Sequence, residues 1–486
     1  MSYVDMIPWK TKEMEKIAKI FLTDKKLILL RAPAGIGKTS VAVAYLISMA
    51  IMGKRGAIFL RTRKEVEHTL AIIKRIISGK KLDLLILPTP SKHDFCVVKP
   101  GVPLIKYWCP ASECDRLKRR KYSDVEKVLR SRVFSELNSY VRLMAMGMRC
   151  PYHICLELLK KADIIIGTHP YFIHEDLFER LGKLAIIVVD EAHNLVGITT
   201  FEGNAKNIEE GKIIAEEAME KGHAIHKYVV RLWRSGDIDR ATILAEYDAY
   251  RTEKGVEVRM NGKIIKVYPP IELVKDRIEN VSKIILMSST LYPSKFYEKL
   301  FAEGINHRLE VIPGLFKSPK RRIVIMDTEL STAVSMRSQE IYAGYASEIK
   351  RLHRKLGEKI IVFCPSYEVA KNIAKHLGKE VKDKPEGEII ITVYRSRIAE
   401  GVELPEDYKV AIMAGLPFPK ILAKDEKIIE VYSKIYRIDK QSIRQAFLMS
   451  SMVSALIQAA GRVGRREQGL VIIIDSRAKS IFGGAL

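Results

Sequence analysis

The sequence predicts an α/β protein built from two parallel-sheet units, the first interrupted by two insertions. Three observations carry this expectation. Short apolar runs alternate with helical patterns over the first ninety residues, a second such series begins near residue 320, and the stretches between differ in composition. Strands buried on both faces of a parallel sheet read as unbroken apolar runs between helical segments.

In chain order, "KLILLR" is the first strand and "SVAVAYLISMAI" the helix behind it, followed by the strand "GAIFLRT" and the helix "KEVEHTLAIIKRIIS". "ADIIIGT", "LAIIVVDEAH" and "SKIILMSST" continue the first series. "RRIVIMD", "KIIVFCPS", "GEIIITVY", "YKVAIMAG" and "GLVIIIDSR" make the second. Residues 92–157 are rich in Lys and Arg and hold five of the six cysteines, so they read as one insertion. The other, 206–269, is largely helical and ends in runs that alternate around Asn261-Gly262, a hairpin signal. The expected organisation is therefore a first domain from 1–91, 158–205 and 270–310, insertions at 92–157 and 206–269, and a second domain at 311–486.

A chain of 486 residues is too long for one ordinary core. With 82 Lys and Arg against 58 Asp and Glu, the net charge of +24 attracts polyanions, of which nucleic acid is the commonest in a cell. A solvated, ion-paired surface of the kind found in thermophile proteins is the alternative. No apolar run approaches the roughly 18 residues that span a bilayer. The N-terminus lacks the order of a signal peptide, so a cytoplasmic protein is expected. A disulfide framework does not suit a large intracellular chain, and the clustered cysteines read as a metal or cluster site.

Residues 29–40, "LLRAPAGIGKTS", carry the first chemical signal. Gly35 and Gly37 allow backbone dihedrals that converge N–H groups on phosphate oxygens, and the helix that follows turns its positive end toward the same anion. Lys38 supplies a cation for the β- and γ-phosphates, and Thr39 is placed to ligate magnesium. In "VVDEAHN", Asp190 is expected on the same ion and Glu191 on the attacking water, with His193 as a relay. In "QAAGRVGR", Arg462 and Arg465 share a helix face if the helix continues, and both then face one phosphate across an interdomain cleft. Gln458, one turn earlier, is expected near the attacking water. A solvated basic helix end is an equal reading of that segment taken alone.

In order along the chain these segments resemble the XPD/DinG family of superfamily 2 iron–sulfur helicases, in an archaeal type with a shortened arch region. "APAGIGKT" is similar to motif I, "FLRTRKE" to motif Ia, and "GTHPYF" to the segment before the DEAH box. "VVDEAHN" is similar to motif II, "MSSTLYP" to III, "IVFCPSY" to IV, "RIAEGVEL" to V, "QAAGRVGR" to VI, and "DSR" to the closing Asp-x-Arg. The resemblance implies two RecA-like motor domains, the first interrupted by an iron–sulfur domain and a small arch-like insertion. It implies nucleotide contacts at Ala34, Gly35, Gly37, Lys38, Thr39, Ser40, Asp190, Glu191 and Gly401. It also implies strand contacts at Arg61, Thr62, Thr168, His169 and Tyr171, the last suited to base stacking.

"FCVVKP", "WCPASEC" and "RCPYHIC" resemble the family's cluster insertion, which carries the ligand set onto Cys96, Cys109, Cys114 and Cys150. Four thiolates suit a 4Fe–4S cluster, and also zinc, although structural zinc sites usually use two close pairs. Cys155 is left over as a spectator thiol or a substitute ligand, and Cys364 is expected in the core. The activity implied is that of an ATP- and Mg2+-dependent 5′-to-3′ helicase on single-stranded, tailed or forked DNA. A monomer associated with the nucleoid and with repair proteins goes with it. A translocase that does not separate strands and a non-motor scaffold are the alternatives.

Several positions depart from the family pattern. Ala32 stands for a P-loop glycine, Lys10 for the glutamine that reads adenine, and Ser396 and Glu403 for Gly and Asp of motif V. Cys109 and Cys114 are spaced more widely than is usual, and the segment between motifs II and III is short for an arch.

Overall fold

The computed structural model describes residues 3–80, 82–96, 123–313, 321–382, 384, 386–400, 404–405, 407–464 and 468–482. The expected strands form two parallel sheets. The first has seven strands in the spatial order His307–Val311, Leu27–Arg31, Lys283–Ser288, Ile186–Asp190, Gly56–Leu60, Ile164–Thr168 and Ile86–Pro88. The second has five, in the order Arg321–Ile325, Gly469–Ile474, Tyr408–Ala414, Lys359–Cys364 and Ile389–Val393. Every pairing in both is parallel. Central strands such as Gly56–Leu60 and Ile186–Asp190 are buried throughout, which is why their sequences do not alternate.

Two strands of the first sheet are additional to those expected from the sequence. Ile86–Pro88 is a three-residue edge strand, and "HRLEV" at His307–Val311, none of whose residues is fully buried, closes the opposite edge. Both are held by a single neighbour, so neither needs a long apolar run. No described helix is long and apolar enough to cross a membrane.

The stretch after the DEAH box contains three helices, Ala205–Glu220, Ile225–Arg234 and Ile238–Thr252, packed around their own apolar core. They sit on a three-stranded antiparallel sheet made from Thr199–Asn204 and the hairpin Val256–Met260 with Lys263–Val267. Asn261 and Gly262 both take positive φ, 48° and 73°, the conformation that matches a two-residue turn to the twist of its strands.

The two sheet units meet along an apolar seam. Helix Ala423–Tyr436 belongs to the second unit in sequence, yet Ile428, Ile429, Tyr432 and Tyr436 pack with Ile265, Val267, Ile271 and Leu300. Two tyrosine hydroxyls satisfy backbone groups that the seam would otherwise bury unpaired. Tyr432 Oη accepts from Gly197 N at 2.8 Å. Tyr436 Oη accepts from Ile271 N and donates to Leu300 O, both at 3.1 Å. Ile271 lies in the first turn of helix Pro270–Ile278, where backbone N–H groups have no partner within the helix. Tyr436→Phe therefore strands a donor and an acceptor, and should lower stability by about 1–3 kcal/mol, read as a reduced midpoint of urea unfolding. A midpoint equal to wild type contradicts the assignment.

Candidate nucleotide and nucleic-acid site

The P-loop connects strand Leu27–Arg31 to helix Lys38–Ile51. Gly35 and Gly37 take φ of 81° and 94°. At Gly37 a Cβ would also lie 2.1 Å from Met14 Cε, the end of a flexible side chain, so it is the backbone conformation that favours glycine. Lys38 is buried, and its Nζ donates to the carbonyls of Ala32 at 2.9 Å and Pro33 at 3.0 Å. Ser40 is buried in the first turn of the helix, and Ala34 packs against the core of the second sheet unit.

Thr39 Oγ1 donates to Asp190 Oδ2 at 2.6 Å, so the two expected magnesium ligands converge from elements 151 residues apart. Asp190 Oδ1 accepts from Glu191 N at 2.9 Å. Glu191 adopts φ 50°, a left-handed conformation costly for a side-chain-bearing residue, which turns the chain sharply after its strand. Its carboxylate accepts from Ser288 Oγ at 2.7 Å. That hydroxyl in turn receives His193 Nδ1 at 2.9 Å and Thr290 N at 3.0 Å. His193 Nδ1 also lies 3.3 Å from Glu191 Oε2. Motif II is thereby tied to strand Lys283–Ser288 through Ser288, the first serine of the "MSSTLYP" segment.

The adjacent carboxylates are pushed apart in acidity. Burial, reinforced by the charge of Glu191, raises the Asp190 pKa. Burial also acts upward on Glu191, but the hydrogen bond and charge of His193, with the charge of Lys38, outweigh it and hold that group ionised. An ionised carboxylate is the form that can accept a proton from water.

The second unit supplies the other wall. A cleft of about 470 Å³ is lined by Arg61, His193, Asn194, Phe296 and Tyr297 of the first unit and by Arg395, Phe447, Ser450, Ser451, Ser454 and Gln458 of the second. Gln458 thus faces the interdomain space. Arg462 does not sit on a continuing helix: helix Lys440–Ala460 ends first, and Arg462 lies in the following turn with Nε donating to Ala399 O at 2.7 Å. Arg462 therefore lies beyond the helix on which a shared face with Arg465 is expected. Arg465, Gly401 and Glu403 lie outside the described residues. Arg395, with φ 63° and a hydrogen bond to Ser451, is a cleft residue that the sequence reading missed. Ser396 is buried, accepting from Thr392 Oγ1 at 3.1 Å and Ala399 N at 3.2 Å, while Asp475 is clasped by Arg477 through two contacts of 2.8 Å.

The strand-contact residues divide. Arg61 lines the cleft, and Thr62 caps helix Arg63–Ile77, its hydroxyl accepting from Glu65 N at 3.3 Å. Thr168 ends its strand, largely buried. Tyr171 is 4 % exposed and donates to Pro90 O at 2.5 Å, so its ring packs in the core and presents no face for a base. His169 is also buried, and its Nε2–H donates to Asp190 O at 2.8 Å. It links this segment to the DEAH box. Lys10 is engaged by Asp5 at 2.6 Å and by Glu15 at 3.7 Å.

Of the expected cluster ligands, Cys109 and Cys114 lie outside the described residues. Cys96 closes the short helix Lys92–Phe95, and Cys150 is the N-cap of helix Pro151–Leu159. These helices pack together, with the Lys92 ammonium 5.6 Å from the Tyr152 ring centre. The two thiols thus sit at the ends of neighbouring helices, Cys150 at an N-terminus, where the helix dipole favours a thiolate ligand, and Cys96 at a C-terminus, where it does not. No set of three metal-binding side chains converges among the described residues. Cys155 is buried with Sγ donating to Pro88 O at 3.3 Å, the spectator role, and Cys364 is in the core.

The model for the family described as DEAD_2 matches residues 58–210, and that for the helicase C-terminal domain matches residues 379–481. The chain is similar to the ATP-dependent DNA helicase XPD of Sulfolobus acidocaldarius, with 23% identity over 559 residues covering 98% of this chain and 96% of that protein. A solved XPD helicase superposes with a TM-score of 0.64 at 18% identity over 97% of both chains. Xpd4 of S. tokodaii gives 0.55 at 18% identity over 97% of this chain and 96% of that one. The two parallel sheets are accordingly RecA-like.

Burial holds the His169 pKa down to about 4, against an ordinary 6.5. The fold therefore favours the neutral ring, and its contribution is complete above pH 6.5 and lost as pH falls toward 4. At pH 5 the loss is about 2 kcal/mol. His169→Gln retains the donor without the titration, so its stability should fall less between pH 7 and 5 than that of wild type; parallel pH profiles contradict this.

Proposed function

We propose that this chain, which belongs to the XPD-like helicase family, is an ATP-dependent DNA helicase that moves 5′ to 3′ on a single strand and separates tailed or forked duplexes. The observation that carries the reading is the 2.6 Å contact of Thr39 with Asp190, three residues from His193 in the interdomain cleft. A P-loop hydroxyl and a strand-end carboxylate converge there, as magnesium–nucleotide binding requires. The net charge of +24 supports a polyanionic track.

In this reading the Gly35 and Gly37 backbone and Lys38 hold the phosphates, with Lys38 exchanging the Ala32 and Pro33 carbonyls for phosphate oxygens. Thr39 and Asp190 hold magnesium, which offsets phosphate charge. Glu191, kept ionised by His193 and Lys38, orients the attacking water and receives its proton. Gln458, Arg462 and Arg465 approach from the second unit and favour closure over the γ-phosphate. Arg61, Thr62 and Thr168 grip the strand, while His169 and Tyr171 position that segment from within the core. Cys96, Cys109, Cys114 and Cys150 hold a 4Fe–4S cluster, which crosslinks the basic insertion into a rigid wedge. We place the activity in DNA repair, by a nucleoid-associated monomer working with other repair proteins. The small three-helix insertion favours a second reading, translocation without strand separation.

Displacement of a labelled strand from duplexes with a 5′ or a 3′ tail tests the reading. Unwinding from the 5′ tail alone is expected; unwinding from neither leaves a translocase, and from the 3′ tail alone reverses the polarity. Lys38→Ala should lower single-strand-stimulated hydrolysis by at least about 100-fold. Cys150→Ser is informative because serine is a favoured N-cap, so the helix is preserved. This variant should lose visible iron–sulfur absorption and unwinding while keeping its helical circular dichroism. A colourless wild type with stoichiometric zinc removes the cluster.

A further inference from the structure

Segment 88–96 runs from the edge of the first sheet to Cys96, and three successive carbonyls along it are held by side chains from three separate segments. Pro88 O accepts from Cys155, in the helix that begins after Cys150. Thr89 O accepts from Arg63 Nη1 at 2.6 Å, in the helix that Thr62 caps. Pro90 O accepts from Tyr171 Oη, three residues after Thr168. Arg63 then makes a second contact, Nε to Asp94 Oδ2 at 3.0 Å. Asp94 is itself fixed by Ser91 Oγ at 2.6 Å, and Ser91 Oγ accepts from Asp94 N at 3.1 Å.

A two-point guanidinium grip constrains orientation as well as distance, which a single hydrogen bond does not. Here it spans from the helix behind Arg61 and Thr62 to the last turn before Cys96. Asp94 and Cys96 are joined by a short helical segment whose Phe95 and Cys96 amides donate to Ser91 O at 2.9 Å and Lys92 O at 3.0 Å. We propose that Arg63 is a positioning residue that fixes the root of the cysteine-bearing insertion to the strand-gripping loops, so that strand separation depends on its grip on Thr89 and Asp94 while hydrolysis does not. The proposal rests on the helicase reading above. A wedge transmits force only if its base does not yield, and Arg63 joins that base to the strand-contact loop at two points, where Tyr171 joins it at one.

The test uses the full chain with Asp94→Asn, Arg63→Gln and the double substitution. Asp94→Asn retains the side-chain shape and the Ser91 contact but removes the charge that Arg63 grips. Three quantities are read: hydrolysis stimulated by single-stranded DNA, unwinding of a 5′-tailed duplex, and hydrogen exchange at the Phe95 and Cys96 amides. Asp94→Asn should keep stimulated hydrolysis within about twofold and lose unwinding by about tenfold or more, as misplacement of a supporting group does. Exchange at both amides should quicken by about fivefold or more, reporting local opening of the segment. The double substitution should be no worse than the worse single one within about twofold, because both remove one interaction. Equal losses of hydrolysis and unwinding would overturn the proposal, as would faster exchange with unwinding intact, unchanged exchange, or additive defects. A wild type that hydrolyses ATP but does not unwind removes the helicase reading, and the proposal with it; variants that unwind like a competent wild type remove the proposal alone.

Discussion

The structure turns on two adjacent carboxylates, one buried and one half-buried, at the end of one strand. Asp190 and Glu191 are adjacent in sequence, and like charges so placed are costly away from water. Thr39 binds the first carboxylate, and Ser288 and His193 bind the second. Lys38 lowers the energy of both charges through space. Meeting that need brings the P-loop, the end of strand Ile186–Asp190 and the end of strand Lys283–Ser288 to one point. The parallel sheet makes this feasible, because those strand ends all emerge on the same edge.

The same point is connected outward in two directions. Through His193 it reaches the interdomain cleft, where residues of the second unit face it. Through His169, whose ring bonds the Asp190 carbonyl, it reaches the segment that begins at Thr168 and passes Tyr171 to the root of the cysteine-bearing insertion. The seam formed by Tyr432 and Tyr436 is apolar, buried and bonded to backbone on the other side, whereas the cleft beside it adds Arg61, Arg395, three serines and Gln458 to its aromatic lining. Free energy of packing therefore favours a joint that persists at the seam and a gap that opens at the cleft, a geometry suited to hinge motion.

Much of this organisation is legible in the sequence, for identifiable reasons. Strands buried on both faces must be apolar throughout, so "LILLR", "IIVVD" and "KIIVFC" stand out. The turn at Asn261-Gly262 needs two positive φ angles, and those residue types supply them. Two edge strands escape notice because one neighbour suffices to hold them and neither is an apolar run: "HRLEV" and "TTFEGN" are half polar, whereas the edges "RRIVI" and "IIITV" of the second sheet are apolar enough to read. The P-loop and DEAH residues are readable because each acts through its own local backbone. The partners of Ser288, which stands in "MSSTLYP", and the cleft position of Arg395 are not, since both arise only when distant elements meet. Tyr171 shows the converse limit. An aromatic beside a strand-contacting loop suits stacking or packing equally, and only the position of the Pro90 carbonyl decides for packing. The end of the helix at Ala460 is similar: spacing suggests a shared face for Arg462 and Arg465, but the chain turns at Gly461 before either is reached.

Coupling of the carboxylate centre to a bound strand is the claim on which the rest depends, and the rate of ATP hydrolysis by the purified chain, with and without single-stranded oligonucleotide, tests it most directly. A rate that rises steeply with oligonucleotide and saturates is predicted, since strand contact at the Thr168 segment and closure of the cleft act on the same centre. A rate indifferent to oligonucleotide across the same range would contradict it.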